Sequence, residues 1–520
     1  MAKKTIYDIA FILLLTSVCH FLFSKYGFNP TDEGFVLSAA NRVMHGQIPH
    51  VDFSSVRPLG YAYLHIPELL FSKKYVLLIS RFVFWLEQVL IAYLWIRWLI
   101  RITHRTIPVL YKYSLIVICF IFNVHYFPAS VLHTIDGLLM CLIGLNLIIR
   151  KDNWKYIGFI FIGFAALCKQ NYLVVLPVAL LLFGRRNLLI NLIFGICPIF
   201  IYVGIISFLG GYENLKIQLF SHSEILNIGI LPYFNSHLFW SGILWILILF
   251  VIKNRVYKFF VLLFLYAVCF YSLYTGTYHE KYGFFIFGST LGCLIISTLQ
   301  EEKNIVKLLL INIVLAWCVS ISIGYNTPAL FIGGCLSTLT FYLILEKSIL
   351  YKFLSAILIP LIVIFYFIRT HYIYREQTSY FLTYKLDNIT EGAHGIFTNK
   401  NTFQVLAELD SIKRNTNNSI ITTDFTACNI VHSHLSKLNT EWANKTEIPN
   451  KNILEKVTHK INHDTSSIVL LSKYNLAILN SGFVKIDTNK TNKWLIMQYI
   501  FQHYDKRSST KYFDIYLRRK

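Results

Sequence analysis

Charge is scarce in this chain. Only 14% of its 520 residues are Asp, Glu, Lys or Arg, where a soluble domain carries about 25%, and the mean hydropathy is +0.54. A water-soluble globule is excluded. Acids are scarcer than bases, 27 against 48 with a formal net charge of +21, yet no single basic stripe exists to follow a nucleic acid. Lys and Arg fall instead in short clusters between apolar runs, so a nucleic-acid partner is not expected and the clusters read as topology signals. Nine of the ten cysteines lie inside apolar runs and only Cys428 lies in a polar stretch. No disulfide framework can be drawn from that, and small apolar packing residues are expected. No small-residue cleavage site follows the apolar run Ile6 to Phe23 behind Lys3 and Lys4, so a retained signal anchor is expected. A Gly-rich phosphate loop, a zinc-ligand spacing and a nucleophile elbow are also missing, which speaks against ATP-driven chemistry.

What is present is a series of apolar runs suited to a hydrocarbon layer about 30 Å thick, which takes about 20 helical residues to cross. Spans are expected at Ile6 to Phe23, Tyr75 to Ile100, Leu110 to Phe127, Ile135 to Ile149, Leu188 to Leu209 and Leu238 to Ile252. Others are expected at Phe259 to Leu273, Phe284 to Leu299, Leu308 to Ile323, Ala329 to Leu345 and Phe353 to Ile368. Basic clusters at Lys3/Lys4, Arg97/Arg101/Arg105, Arg150/Lys151/Lys155, Arg185/Arg186, Lys253/Arg255/Lys258, Lys303/Lys307 and Lys347/Lys352 mark the cytoplasmic side. The stretch Ile157 to Gly184 is apolar except for Lys169, Gln170 and Asn171 at its centre, with basic residues at both ends. Read as one span it inverts every later loop against the charge rule; two short segments meeting at Lys169 preserve the rule.

The expected fold class is therefore an α-helical polytopic membrane protein of about 13 segments, amino terminus inside, with a transmembrane domain over 1–368. An extracytoplasmic carboxy-terminal region over 369–520 and a long first outer loop over 25–74 complete it. The tail has folding signals of its own. Phe403, Leu406, Leu409 and Lys413 repeat at helical spacing, as do Leu454, Val457 and Ile461, while Ser419 to Thr423, Ser467 to Leu471 and Tyr512 to Leu517 are strand-like. A small α/β domain is expected. Asn444-Lys445-Thr446 and Asn489-Lys490-Thr491 match glycosylation sequons, which an Asn- and Thr-rich segment produces by chance.

Several polar residues stand out against this background. Asp32 and Glu33 follow the first span directly, where a carboxylate can accept a proton from a hydroxyl or amine attacking a lipid-borne substrate. Capping the helix that begins near Phe35 explains them equally well. Asp136, after His133 and Thr134, opens the Ile135 to Ile149 span; an ionisable residue at the membrane boundary is a functional candidate, with helix capping again the plain alternative. Lys169 has no acid within ten residues along the chain, so a phosphate would satisfy it, as would snorkelling to the interface. Arg57 is a second cation of this kind. His279, Glu280, Lys281 and Tyr282 cluster in a small outer loop and could hold a metal or a sugar.

The run Thr31-Asp32-Glu33-Gly34, the segment Ala39 to Pro49 ending in His45-Gly46-Gln47-Ile48-Pro49, and Asp52-Phe53 followed by Arg57-Pro58-Leu59 resemble the first outer loop of GT-C superfamily glycosyltransferases. The branch they are most similar to is the bacterial relatives of protein O-mannosyltransferases and lipid A aminoarabinose transferases. Thr134-Ile135-Asp136 resembles their second acidic motif and Gly158 to Leu176, with Lys169, their Gly-rich segment. Arg57, with one proline after it, departs from the Lys-Pro-Pro-Leu form of the aminoarabinose branch. The resemblance covers Met1 to about Arg186, and later spans only in topology.

It implies transfer of a sugar from a polyprenyl-phosphate donor to a glycan, lipid or protein acceptor on the outer face of a bacterial cytoplasmic membrane. Asp32 is then the catalytic base or a metal-proximal acid, with Glu33 its neighbour. Asp136 contributes to the acceptor or a divalent cation, so Asp32 and Asp136 are the candidate metal ligands. Arg57 and Lys169 hold the carrier phosphate, with His133, His279 and Tyr282 as further substrate contacts. Two other functions fit many spans: an outer-leaflet polysaccharide polymerase or ligase, which usually carries its large loop late, and a secondary transporter, which places ionisable residues at the midplane of two related halves.

Overall fold

Each apolar run expected from the sequence forms a helix, because in hydrocarbon a backbone must satisfy its own N–H and C=O groups. The structure is a computed structural model. It describes residues 2–124, 128–150, 152–221, 225–251, 255–275, 280–321, 328–344, 349–416, 418–423, 425–426, 437–462, 464 and 466–519. Among the described residues six helical stretches are long and apolar enough to cross a membrane: Thr5–Phe23, Val76–Ile102, Gln170–Phe208, Val256–Tyr274, Tyr282–Leu299 and Lys303–Ser320. A seventh crossing is made if Gly229–Asn235 and His237–Val251, bent by 63°, count as one span. The last expected span forms the 23-residue helix Ile349–His371, and four others are shorter: Val109–Asn123, His133–Ile148, Trp154–Cys168 and Pro328–Leu343. A 15-residue helix rises only about 22 Å, so by length these four do not bridge the layer alone.

The stretch Gln170–Phe208 is not one straight rod. Residues 170–187 pass through short 3-10, α and π turns, and Asn187, at φ −134° and ψ 51°, leaves helical geometry before Leu188–Phe208 begins. The contacts show a reversal there. A Cβ on Gly195 would lie 2.4 Å from the Leu176 side chain, and one on Gly163 would lie 1.8 Å from the Gly195 carbonyl oxygen. Residues nineteen apart along a straight helix cannot touch; the chain doubles back at Arg185 to Asn187. The glycines let three segments close on one another, as small residues do between membrane helices. The break expected at Lys169 is also present: Trp154–Cys168 ends there, with Lys169 extended at φ −152° and ψ 125°.

Opposite ends of the helices carry different chemistry. At one end Asp8 accepts hydrogen bonds from the hydroxyls of Tyr93 and Tyr113, each at 2.9 Å, and pairs with Lys112, joining the start of the first helix to the end of Val76–Ile102 and the start of Val109–Asn123. At the other end the first loop and the tail are interwoven. The Gly27 and Phe397 amides donate to Phe397 and Lys25 carbonyls at 2.8 Å, Leu77 donates to Gly392, and Ser54 donates to Asn439 at 2.8 Å. The expected loop is thus a folded layer, with helices Phe35–Met44, Gly60–Leu64 and Ile66–Phe71, held under the tail.

The tail contains the expected mixture. Helices Lys400–Arg414 and Lys451–Thr458 carry the expected periodic apolar residues, and a four-stranded sheet is built from Ile420–Thr422, Ile468–Ser472, Phe513–Arg518 and Tyr504–Ser509 in that spatial order. The first pair is parallel and the other two are antiparallel. The edge strand Tyr504–Ser509 lacks the apolar signature of the others, five of its six residues being exposed, while the preceding helix Leu495–His503 buries Ile496, Tyr499 and Ile500. Asn444 of the first sequon is buried and accepts from the amides of Thr446 and Glu447 at 2.8 and 3.0 Å. It closes a turn and offers no exposed amide.

Candidate functional site

The adjacent acids Asp32 and Glu33 have separate partners. Asn29 organises the turn before them, its side-chain oxygen accepting from the amides of Thr31 and Asp32, both at 3.0 Å. The helix they precede starts at Phe35 behind Gly34, whose φ of 98° suits a residue without a Cβ, and no side chain caps it. The capping explanation therefore fails for both. Glu33 is buried and bound by the Arg81 guanidinium at 2.6 and 2.8 Å, while Arg81 also donates to the carbonyls of Ser24 and Gly27. Burial pushes the Glu33 carboxyl up and Arg81 pulls it back; this is a closed structural ion pair. Asp32 is partly exposed and accepts from the Tyr374 hydroxyl at 2.8 Å and from Arg375 at 2.6 Å, both at the start of the tail.

Asp136 is likewise not a cap: the helix His133–Ile148 has no side-chain cap. Its carboxylate is fully buried and meets His65 Nε2 at 3.1 Å, while His65 Nδ1 meets Glu68 at 2.6 Å. Glu87, from the middle of Val76–Ile102, completes this group. Asp32 and Asp136, the two acids expected to share a metal, thus have no common partner among the described residues.

The remaining sequence candidates divide. Lys169, His133 and Arg57 come together; Tyr282 does not join them, and instead lines a small apolar crevice with Phe122, Cys269 and Ile286. His279 lies outside the described residues. Lys169 is 5% exposed and its amino group has no hydrogen-bond partner, so it does not snorkel, and burial, reinforced by Arg57, pushes its pKa down to about 7. It is close enough to Arg57 and His133 for the charges to interact. His133 stacks near Tyr61 and Phe35, with ring centroids at 5.6 and 6.3 Å, and neither of its ring nitrogens has a partner. Arg57 lies over the Phe35 ring at 5.1 Å and pairs with Glu447 of the tail at 2.5 Å. Burial opposes its charge, but Glu447 more than compensates and raises its pKa.

The tail supplies what the sequence reading did not anticipate. Arg42 donates to the carbonyls of Leu438 and Thr440 at 2.6 and 2.8 Å, pinning the segment 438–447 across the loop. This brings Trp442 to 6.2 Å from Phe35 and places Glu441 in the field of Arg42, Arg57, Glu447 and Tyr61. Both carboxylate oxygens of Glu441, the Trp442 indole N–H and the Tyr61 hydroxyl are buried without hydrogen-bond partners. Burial, reinforced by Glu447 and opposed by Arg42, pushes Glu441 up to about 8. Buried polar atoms normally find partners, and each orphan costs about 1–3 kcal/mol. Here orphans of both signs and both hydrogen-bonding senses gather from four parts of the chain. No family model matches the chain, and neither does any curated protein or solved structure. No signal in the sequence singles out Glu441, one acid in an Asn- and Thr-rich segment more than 270 residues from Lys169.

Proposed function

We propose that the chain is a membrane glycosyltransferase that moves a sugar from a polyprenyl-phosphate donor to an envelope acceptor at the outer face of the membrane. In this reading it threads the bilayer in thirteen segments, the short helices included, with the amino terminus inside and the loop and tail outside. The observation that carries the reading is the gathering, where the first loop meets the tail, of a buried unpaired Lys169 amino group, the Arg57 guanidinium that Glu447 engages on one side, and the unpaired Glu441 carboxyl of raised pKa. A polyprenyl phosphate has the complementary needs. Its negative charge suits Lys169 and Arg57, which would stabilise the departing phosphate. The acceptor oxygen attacks the anomeric carbon, the bond from that carbon to the phosphate oxygen breaks with its electrons going to the phosphate, and the acceptor proton passes to a carboxylate.

Glu441 is assigned that proton rather than Asp32. A base works best when its pKa lies near the working pH, and Glu441 stands at about 8, whereas Asp32 is already occupied by Arg375 and Tyr374. Tyr61, Trp442 and His133 would supply sugar-facing aromatic and polar contacts. In membranes given a labelled polyprenyl-phosphate sugar, Glu441→Gln is expected to lower transfer by roughly 10²- to 10⁴-fold, with a rate that in the parent rises with pH up to about 8. Asp32→Asn is expected to act less. Equal transfer by Glu441→Gln and the parent removes Glu441 from the reaction, and absence of any sugar difference between envelopes with and without the protein removes the reading itself.

A further inference from the structure

A second cluster lies deeper and plays no part in that reaction. His65, Glu68, Glu87 and Asp136 are all buried, at 1%, 3%, 7% and 0% exposure, and they come from the loop, the middle of Val76–Ile102 and the first turn of His133–Ile148. Three carboxylates around one imidazole, with no Lys or Arg bonded to them among the described residues, are an excess of buried negative charge that a cation or bound protons must offset. Two oxygens, Asp136 Oδ2 and Glu87 Oε2, have no hydrogen-bond partner. One ligand atom each from His65, Glu87 and Asp136 can be chosen so that all three lie within 4.8 Å of one another.

We infer that His65, Glu87 and Asp136 bind a single divalent transition-metal ion, of the zinc or manganese class, with Glu68 orienting His65 from behind. The orientation of His65 is the decisive geometric point. Its Nδ1 faces Glu68 at 2.6 Å while Nε2 faces Asp136 at 3.1 Å. A histidine ligand ordinarily donates its other N–H to a carboxylate, which fixes the ring and the tautomer; Glu68 does this and leaves Nε2 free for the metal. Donors bound at about 2.1 Å stand about 3.0 Å apart when adjacent at right angles and about 3.4 Å apart in a tetrahedron, so the 3.1 Å pair needs no rearrangement. A Glu87 oxygen lies within 4.8 Å of both ligand atoms.

One imidazole and two carboxylates make a mixed N/O donor set, borderline in hardness, which suits zinc or manganese better than calcium. Two carboxylates also neutralise the ion's charge, as a buried site requires. The competing occupant is a proton: burial disfavours a charged His65, but Asp136 and Glu68 outweigh it and favour the imidazolium. The inference does not rest on glycosyl transfer, because the ion is read by composition rather than by activity.

The test uses the purified full chain in detergent, stripped with chelator, re-equilibrated with Zn²⁺ or Mn²⁺ and desalted, with metal counted per chain by elemental mass spectrometry. One ion per chain is expected. The near-isosteric double variant Glu87→Gln/Asp136→Asn is expected to lose it, and Glu68→Gln to bind about 10- to 100-fold more weakly. A wild-type chain without metal above background, or variants that hold as much as wild type, overturns the site. Should the double variant fail to fold, the zinc-edge absorption spectrum of the loaded wild type decides: a shell of one imidazole nitrogen with carboxylate oxygens supports the site, and a sulfur-containing or wholly aquo shell overturns it.

Discussion

Two acids that follow the first helix and two polar groups that the tail covers make an instructive contrast. Glu33 is buried and fully engaged by Arg81, and Asp32 is engaged by Arg375 and Tyr374. Glu441 and Lys169 are buried, and their side-chain polar atoms have no hydrogen-bond partner among the described residues. A closed pair holds structure, because removing one partner leaves an uncompensated charge; a buried group left open weakens the fold and is retained only where something else completes it. Prominence in the sequence thus points to the first pair, while the unmet chemistry lies in the second.

The largest effect expected from this contrast is on stability at the closed pair. Arg81→Ala strands Glu33 in the interior and should destabilise the protein by about 3–5 kcal/mol, read as a lowered melting temperature in detergent; an unchanged melt would mean that the pair is not closed. Next comes the pH dependence of the open group. Glu441 is raised by burial from the ordinary 4.5 to about 8, so the folded state holds its proton where the unfolded state has lost it. The associated stability is complete below about pH 4.5 and is lost as pH rises through about 8, by roughly 3–5 kcal/mol in total. Melts of Glu441→Gln should lack that decline, and parallel curves for variant and parent would contradict it. The smallest effect on the fold, and the most specific, is at Lys169. Lys169→Met exchanges an unpaired buried amino group for an apolar chain, so stability should hold or rise while the donor Michaelis constant rises by about 10-fold or more, the loss of one charged hydrogen bond. A destabilised Lys169→Met with unchanged donor use would make Lys169 a structural group like Arg81.

Much of the fold was legible along the chain because its signals are local. Runs of apolar residues mark Val76–Ile102 and Lys303–Ser320 directly, and the charge rule anticipated the reversal at Arg185 to Asn187 and the break at Lys169. The β-branched and aliphatic runs Ser419 to Thr423, Ser467 to Leu471 and Tyr512 to Leu517 announced three strands of the tail sheet. The exposed strand Tyr504–Ser509 did not announce itself, since pairing to a neighbour, not burial, makes it a strand. The number of crossings was less legible: hydropathy marks an apolar helix whether or not it is long enough to span, and among the described residues four of these helices fall short.

The candidate site was legible only in its cations and in His133. Composition and hydropathy by themselves determined that the chain is helical and apolar, that Asp136 and Lys169 sit at helix ends, and that a polar tail follows. Only the tertiary structure decided which charges meet. It gave Glu33 to Arg81, Arg57 to Glu447 and Asp136 to His65, and it laid Glu441 beside Tyr61 across more than 370 residues of sequence. The reason is physical: helix formation is governed by neighbours a few residues away, whereas the state of a buried charge is set by whichever side chains the fold brings within a few ångströms.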